Sequence, residues 1–305
     1  AGILSALFLN DTICLMFTPL VISLTDRLKR NPLPYLIGLA TAANVGSTAT
    51  LTGNPQNMIV GIASGIRYLD FTLALLPVAL SGLAVIWLVL IWIYPREFQR
   101  ERLAVVEQAA GEPLTKPLLI KTLVITAALL VAFLAGAPIA MASFIAASIL
   151  LVTRRHQPQT VFAEFDWSLL VFFSGLFIVS GSLETSGVTT SLVDLNALAQ
   201  RADIWNLTAL SAVLSNLVSN VPAVLLLRPL VSSMADQTAG WLTLAASSTL
   251  AGNLTLLGSV ANLIVAESAS RWRVVIGFWE YTRAGIIITL VTLLMAAGWL
   301  SLGLY

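Results

Sequence analysis

A run of small polar residues interrupts an apolar chain between Asn44 and Val60, reading N-V-G-S-T-A-T-L-T-G-N-P-Q-N-M-I-V. Asn44, Ser47, Thr48, Thr50, Thr52, Asn54, Gln56 and Asn57 bring amides and hydroxyls, which both donate and accept hydrogen bonds. Gly46, Gly53 and Pro55 mark a break in the backbone. Irregular backbone at membrane depth is tolerated only when buried in protein or lining an aqueous cavity, so the stretch reads as half of a substrate site. A second break, A-G-N-L-T-L-L-G-S-V-A-N at 251–262, offers Gly252, Asn253, Thr255, Gly258 and Asn262. Asn10, Asp11 and Thr12 interrupt residues 1–24, and Ser219, Asn220, Val221 and Pro222 interrupt residues 209–231. Each arm of these two segments is shorter than the roughly 20 residues that cross a bilayer, so both read as re-entrant hairpins with the polar residues at their tips.

Amino termini of half-helices present partial positive charge and free N–H groups, which suits an anion. Carboxyl ends and loop carbonyls suit a cation, so one break can hold both. Some of these side chains could instead only satisfy the broken backbone. Asp11 stands out because an ionisable group at membrane depth is costly unless solvated or paired. It is the candidate carrier of a proton or sodium ion, the alternative being a hairpin cap in a wet vestibule. Glu184, in G-S-L-E-T-S-G, is either a second coupling acid or an interfacial residue. Glu267 and Arg271 have the spacing of a helical ion pair, Arg228 is placed to snorkel, and His156 sits in a basic loop.

With one His and one Cys, no metal cluster or Cys/His pair can be assembled, and G-S-T-A-T-L-T-G lacks the G-K-[ST] ending of a phosphate loop. No catalytic residues or cofactors are expected, and the chain is not read as an enzyme. A sodium ion or a proton would serve as coupling ion.

The elements that must position these residues are membrane spans. Of 305 residues, 58% are hydrophobic and 10% charged, against roughly 25% charged in soluble domains. The mean hydropathy is +0.91, and the fold class is all-α membrane protein. A net charge of +1 gives no field for nucleic acid, and the single Cys14 excludes an internal disulfide framework. Leu36–Ala43 and Pro55–Ser64 form one discontinuous span around the first break. Plain spans are predicted at 71–93, 118–134, 139–152, 167–183 and 284–304. A polar linker occupies 95–117, and an amphipathic interfacial helix 188–202.

The broken segments are copies. Residues 5–21 align without gaps on 215–231 with 7 of 17 identical, including Asn10 with Asn220 and Pro19 with Pro229. Residues 47–63 align on 252–268 with 6 of 17 identical, including Gly53 with Gly258 and Asn57 with Asn262. Between the hairpins lie five predicted crossings, an odd number, which makes this an inverted repeat of the secondary-transporter type. The halves are 1–94 and 118–305, joined by the cytoplasmic linker 95–117. On that topology 13 of 16 basic residues are cytoplasmic, as the positive-inside rule requires. Three spans precede the second hairpin, so their amino-terminal partners are expected upstream of residue 1, in roughly 90 or more residues.

With these features in place, the chain resembles the ion transporter superfamily: citrate-transporter-like permeases, divalent-anion sodium symporters, arsenite permeases and sodium–proton antiporters. The resemblance rests on Asn10-Asp11-Thr12, on A-N-V-G-S-T-A-T-L-T-G-N-P-Q-N at 43–57, on Ser219-Asn220-Val221-Pro222 and on the break at 251–262. In the symporter branch both tips read Ser-Asn-Thr; here the aligned triplets are Leu9-Asn10-Asp11 and Ser219-Asn220-Val221. The Asn-Asp tip resembles the arsenite-permease and antiporter branch. The expected function is secondary active transport of a small anion, a carboxylate or inorganic oxyanion, coupled to sodium or protons. Alternatives are a sodium–proton antiporter, an arsenite efflux permease and, from another class, an ion channel. The expected site comprises Asn10, Asp11, Thr12, Asn44, Gly46, Ser47, Thr48, Thr50, Gly53, Asn54, Asn57, Ser219, Asn220, Gly252, Asn253, Thr255, Gly258 and Asn262. The expected setting is the lipid bilayer of the bacterial cytoplasmic (inner) membrane, and the resemblance implies a homodimer.

Overall fold

The computed structural model describes residues 1–99, 116–152 and 203–303, with isolated residues between 167 and 186. Among the described residues the secondary structure is all helical. The helices are α1 (Gly2–Leu7), α2 (Asn10–Arg27), α3 (Pro32–Ser47), α4 (Pro55–Ser64), α5 (Tyr68–Ile93), α6 (Lys116–Leu134), α7 (Ile139–Leu151), α8 (Ile204–Val218), α9 (Asn220–Ser232), α10 (Gln237–Ala251), α11 (Val260–Ser270) and α12 (Phe278–Ser301). Three of them, α5, α6 and α12, are long and apolar enough to cross a membrane.

The chain divides into two compact units, one of residues 1–106 with 190–305 and one of residues 107–189. In the second, α6 and α7 pack against each other through a turn in which Gly136 has φ +87, a left-handed conformation that a side chain would strain. Their outward faces are exposed and apolar, including Leu123, Val131, Phe144 and Ile145.

In the first unit, polar caps and prolines set the helix starts. Asn31 accepts from the Leu33 amide ahead of Pro32, and Asn54 accepts from the Asn57 amide ahead of Pro55. Asp203 and Asp236 cap α8 and α10 in the same way. Packing is crossed: α2 lies against α11 while α9 lies against α4, and α5 lies along α12. The core is apolar around Phe71, Leu75, Leu244, Leu250 and Ile288, yet α10 is buried at every position from Ala239 to Ala251, Thr243, Ser247, Ser248 and Thr249 included.

Two interrupted helices are present, α3/α4 and α10/α11, the second carrying a short 3-10 turn at Leu256–Gly258. Several boundaries differ from expectation. Asn44 to Ser47 continue α3 as helix, because tertiary partners saturate the Asn44 side chain. The first tip is Phe8–Leu9, and Asn10, Asp11 and Thr12 form the first turn of α2. Likewise Ser219 alone separates α8 from α9, with Asn220, Val221 and Pro222 already helical. Residues 100–115 of the predicted linker 95–117 and the amphipathic segment 188–202 lie outside the described residues, while Lys116 and Pro117 already belong to α6.

One end of this unit collects several loops. The Tyr35 hydroxyl donates to Glu97 Oε1 at 3.3 Å, and the Tyr94 hydroxyl donates to Glu280. The Tyr94 phenol is raised above its ordinary pKa by burial first and by the Glu280 hydrogen bond second. Both α2 and α11 end there in a doubly bonded turn. Arg30 N–H donates to Thr25 O and Lys29 N–H to Asp26 O; Val274 N–H donates to Ala269 O and Arg273 N–H to Ser270 O. The left-handed position is Lys29 (φ 51) in one and Arg273 (φ 63) in the other, where glycine would avoid roughly 1–2 kcal/mol of steric cost. The expected Glu267–Arg271 pair forms at 3.2 Å, exposed on both sides.

Candidate functional site

Asn44 is the hub of the polar interior. Its Oδ1 accepts from Asn10 Nδ2 at 3.0 Å and from Ser259 Oγ at 3.1 Å. Its Nδ2 donates to Asn253 Oδ1 at 2.9 Å and to Asn262 Oδ1 at 3.0 Å. A primary amide offers two donors and two acceptor positions, and all four are filled here. One side chain on α3 thus ties the start of α2 to the second break and to α11, with 1% of its surface exposed.

The second interrupted helix returns the contact. Thr249 on α10 lies 205 positions after Asn44, the same offset that aligns the two breaks. Its hydroxyl accepts from Asn54 Nδ2 at 3.3 Å and from Gln56 Nε2 at 3.1 Å. Asn54 and Ser259 are also 205 apart, and both cap the helix that follows, α4 and α11. Asn57 Nδ2 donates to the carbonyls of Ser47 (3.1 Å) and Thr50 (2.9 Å). Asn262 Nδ2 donates to those of Gly252 (2.8 Å) and Thr255 (3.1 Å), the same positions one repeat later. Sequence similarity between the breaks is therefore similarity of hydrogen bonding.

Glycine is required for both folds of backbone. A Cβ on Gly53 would sit 2.2 Å from Ser47 O, and one on Gly258 would sit 2.9 Å from Gly252 O. The Gly53 carbonyl then accepts from the Asn10 amide at 2.9 Å, which seats the first turn of α2 on the first break. Gly46 lets α1 approach α3, since a Cβ there would fall 2.1 Å from Gly2 O.

The remaining expected residues fall into distinct surroundings. Ser47 and Thr48 hydroxyls return to the Asn44 carbonyl, and Thr50 Oγ1 donates to Ala6 O, so these three close the broken backbone. Asn220 is buried beside Gly252. Ser219 is exposed and strained, at φ 80 and ψ 161. Thr12 is exposed, and Asp11 is half-buried. No side-chain hydrogen bond or ion pair among the described residues holds the Asp11 carboxylate. Arg228 is exposed on α9. Glu184 lies outside the described residues. Thr249 and Ser259 join the network without having been expected there, and so does Gln56, which was named with the first break but not among the expected site residues. The repeat offset carried through Asn44 and Asn54 points to the first two.

Five buried amide atoms around the breaks have no hydrogen-bond partner: Asn10 Oδ1, Asn57 Oδ1, Asn216 Oδ1, Asn220 Oδ1 and Asn253 Nδ2. Thr249 in place of an asparagine accounts for one of them. Asn44 fills Asn262 Oδ1, whereas the threonine hydroxyl makes no bond to Asn57 Oδ1. Amide oxygens are chemically able to ligate a hard cation, and helix amino termini such as those of α4 and α11 are able to complement an anion. Among the described residues no group of three or more His, Cys, Asp or Glu could hold a metal ion.

Residues 1–251 match the family model of the citrate transporters. A silicon efflux transporter of Oryza sativa subsp. japonica is 31% identical over 94% of this chain and 74% of its own length. An uncharacterized transporter of Mycobacterium bovis is 31% identical over 99% of this chain and 75% of its own length. A transporter of Dictyostelium discoideum named arsB is 24% identical over 97% of this chain and 73% of its own length.

Proposed function

The chain belongs to the citrate transporter family, a family of integral membrane transporters and not of enzymes, and on that premise we propose that it is a secondary active transporter of a small anion. The substrate class is a carboxylate or an inorganic oxyanion, moved by alternating access across the bacterial cytoplasmic (inner) membrane and coupled to sodium ions or protons. The protein acts in the lipid bilayer as a homodimer. Its halves, 1–94 and 118–305 around the linker 95–117, are inverted repeats, each with a re-entrant hairpin and a discontinuous helix.

The observation that carries this reading is the reciprocal bonding of Asn44 to Ser259 and of Thr249 to Asn54. Equivalent residues of two repeats meet at one polar centre, which is the arrangement a site at a repeat interface needs. The topology is supported by the loops gathered at one end. Tyr35, Glu97, Tyr94 and Glu280 all fall on the side assigned to the cytoplasm by the basic residues. Helix amino termini would hold the anion while the free oxygens of Asn10 and Asn220 and the carboxylate of Asp11 face the coupling ion.

The test is uptake into liposomes by the natural full-length protein, with citrate, succinate, sulfate, silicate and arsenite offered under separately imposed sodium and pH gradients. Gradient-driven, saturable uptake of one of them with counterflow is the expected result. A second reading, sodium–proton antiport with Asp11 as the exchanging carboxylate, is favoured by the absence of any side-chain partner for Asp11 among the described residues. It predicts sodium flux against protons with no anion uptake. The arsenite-efflux reading draws on the Asn10-Asp11 tip, and arsenite flux alone would select it. Currents near diffusion rates without counterflow would make the protein a channel.

A further inference from the structure

At the end of the first unit where α2 and α11 terminate, a cavity of ≈ 470 Å³ opens among Ser23, Thr25, Asp26, Arg27, Arg30, Trp272 and apolar neighbours. It lies apart from the polar centre, and none of the residues of the transport site lines it. We propose that this cavity binds the phosphate headgroup of an anionic membrane lipid.

Three observations converge on it. First, Arg27 and Arg30 line it, and guanidinium groups match phosphate oxygens with paired donors. Asp26 is its one acidic lining residue. Second, the two turns that shape its walls each hold a basic residue, Lys29 and Arg273, next to lining residues and in the left-handed conformation that glycine adopts without strain. A favourable interaction with a helix carboxyl end explains a cation in the last turn, but it does not require the strained position itself. Backbone strain kept twice, with the same charge, on two segments far apart in sequence is what a shared anionic occupant would maintain. Third, Trp272 lies in the wall and is 55% exposed, as an indole is at the membrane–water boundary.

Basic pockets between transmembrane helices on the cytoplasmic side are suited to lipid headgroups. The carboxyl ends of α2 and α11 would repel an anion, but their last carbonyls are already engaged by the amides of residues 29, 30, 273 and 274. Arg271 is committed to Glu267 and is not needed. Nothing about the cavity depends on what the central site carries.

The test uses the natural full-length protein, delipidated in detergent, with phosphatidylglycerol, phosphatidylcholine or inorganic phosphate added. Binding is read by native mass spectrometry and by the thermal midpoint. Phosphatidylglycerol is expected to bind and to raise the midpoint where phosphatidylcholine does not. Arg27→Gln with Arg30→Gln should weaken that binding roughly five-fold or more per residue removed. Lys29→Gly with Arg273→Gly should raise the lipid-free midpoint while also weakening phosphatidylglycerol. This second pair relieves strain, so it decides the matter even where the arginine variant fails to fold. Equal shifts from both lipids, or unchanged phosphatidylglycerol affinity in the glycine variant, overturn the proposal. An equal shift from inorganic phosphate alone overturns the lipid and assigns the cavity to a soluble anion.

Discussion

Asn44 and Thr249 stand 205 positions apart, and each reaches into the break of the other interrupted helix, Asn44 to Ser259 and Thr249 to Asn54. The exchange makes the two interrupted helices one polar unit, so neither break can rearrange alone. It also sets an asymmetry. The amide satisfies four groups, while the hydroxyl satisfies two and leaves Asn57 Oδ1 open.

Replacing Asn44 by Ala therefore strands Asn10 Nδ2, Asn253 Oδ1 and Asn262 Oδ1 in a buried setting and leaves the Ser259 hydroxyl only the Ala261 amide. At roughly 1–3 kcal/mol for each buried group left unpaired, relaxation included, the variant should lose about 3–4 kcal/mol and all transport. Thr249→Val should cost only about 1–2 kcal/mol, because Asn54 Nδ2 keeps Ser47 Oγ at 2.9 Å. The two residues are linked through Ser47 and Asn54 in one hydrogen-bonded network, so the double variant should depart from additivity by about 0.5 kcal/mol or more in a double-mutant cycle.

Gly53→Ala places a methyl where the Ser47 carbonyl stands at 2.2 Å, and only backbone movement can admit it. The Gly53 carbonyl that receives the Asn10 amide moves with it. A loss of about 3 kcal/mol and of uptake is expected. Gly65→Ala is the control: its φ is +66 but nothing lies within 4 Å, so the cost should be about 1 kcal/mol with uptake retained.

Ser219→Gly should act in the opposite sense on stability. The single residue between α8 and α9 holds φ 80 and ψ 161, a region nearly reserved for glycine, at a cost of roughly 1–3 kcal/mol. Removing its side chain should raise the unfolding midpoint while uptake falls, since the tip is no longer held in one conformation. A raised midpoint with full transport would separate the strain from function.

Tyr94→Phe should cost about 1 kcal/mol, discounted for the half-exposed setting of its bond to Glu280. The phenol is raised above its ordinary value, so the folded state favours the neutral form. Its contribution is fully present below the unfolded tyrosine pKa of about 10 and is lost as pH rises through the higher folded value. Stability of the wild type and the variant, measured from pH 8 upward, should therefore converge only at strongly alkaline pH.

Much of this arrangement was legible in the chain. The start of α4 is written in Asn54-Pro55, a cap followed by a residue that cannot extend a helix backwards, and the structure begins α4 at that residue. The ends of α3 and the first tip were not legible. Asn44 to Ser47 look like loop but are helical, with the Asn44 side chain taken by partners more than 200 residues away, and Asn10 opens a helix because its backbone amide is taken by Gly53 O. The polar residues at 44–57 announced a break without saying which of them face a ligand and which close the backbone. The grouping of Arg27 and Arg30 with Trp272 is a tertiary fact with no local signature.

Replacing Asp11 tests whether its carboxylate carries the coupling ion. Asp11 sits in the first turn of α2, one residue after the Asn10 amide that meets Asn44, half-buried and with no side-chain partner among the described residues. A carboxylate kept there without a cation is costly at membrane depth, and only the start of the α2 dipole favours it. Asp11→Asn keeps the shape and removes the charge, so the fold should be as stable as the wild type or more so. If Asp11 carries the coupling ion, the variant retains substrate counterflow but no longer responds to a sodium or a pH gradient. Unchanged gradient dependence would remove Asp11 from the mechanism and leave the orphaned oxygens of Asn10 and Asn220 to bind the ion. Loss of counterflow together with gradient response, in a variant of wild-type stability, would instead place Asp11 in the substrate's own shell.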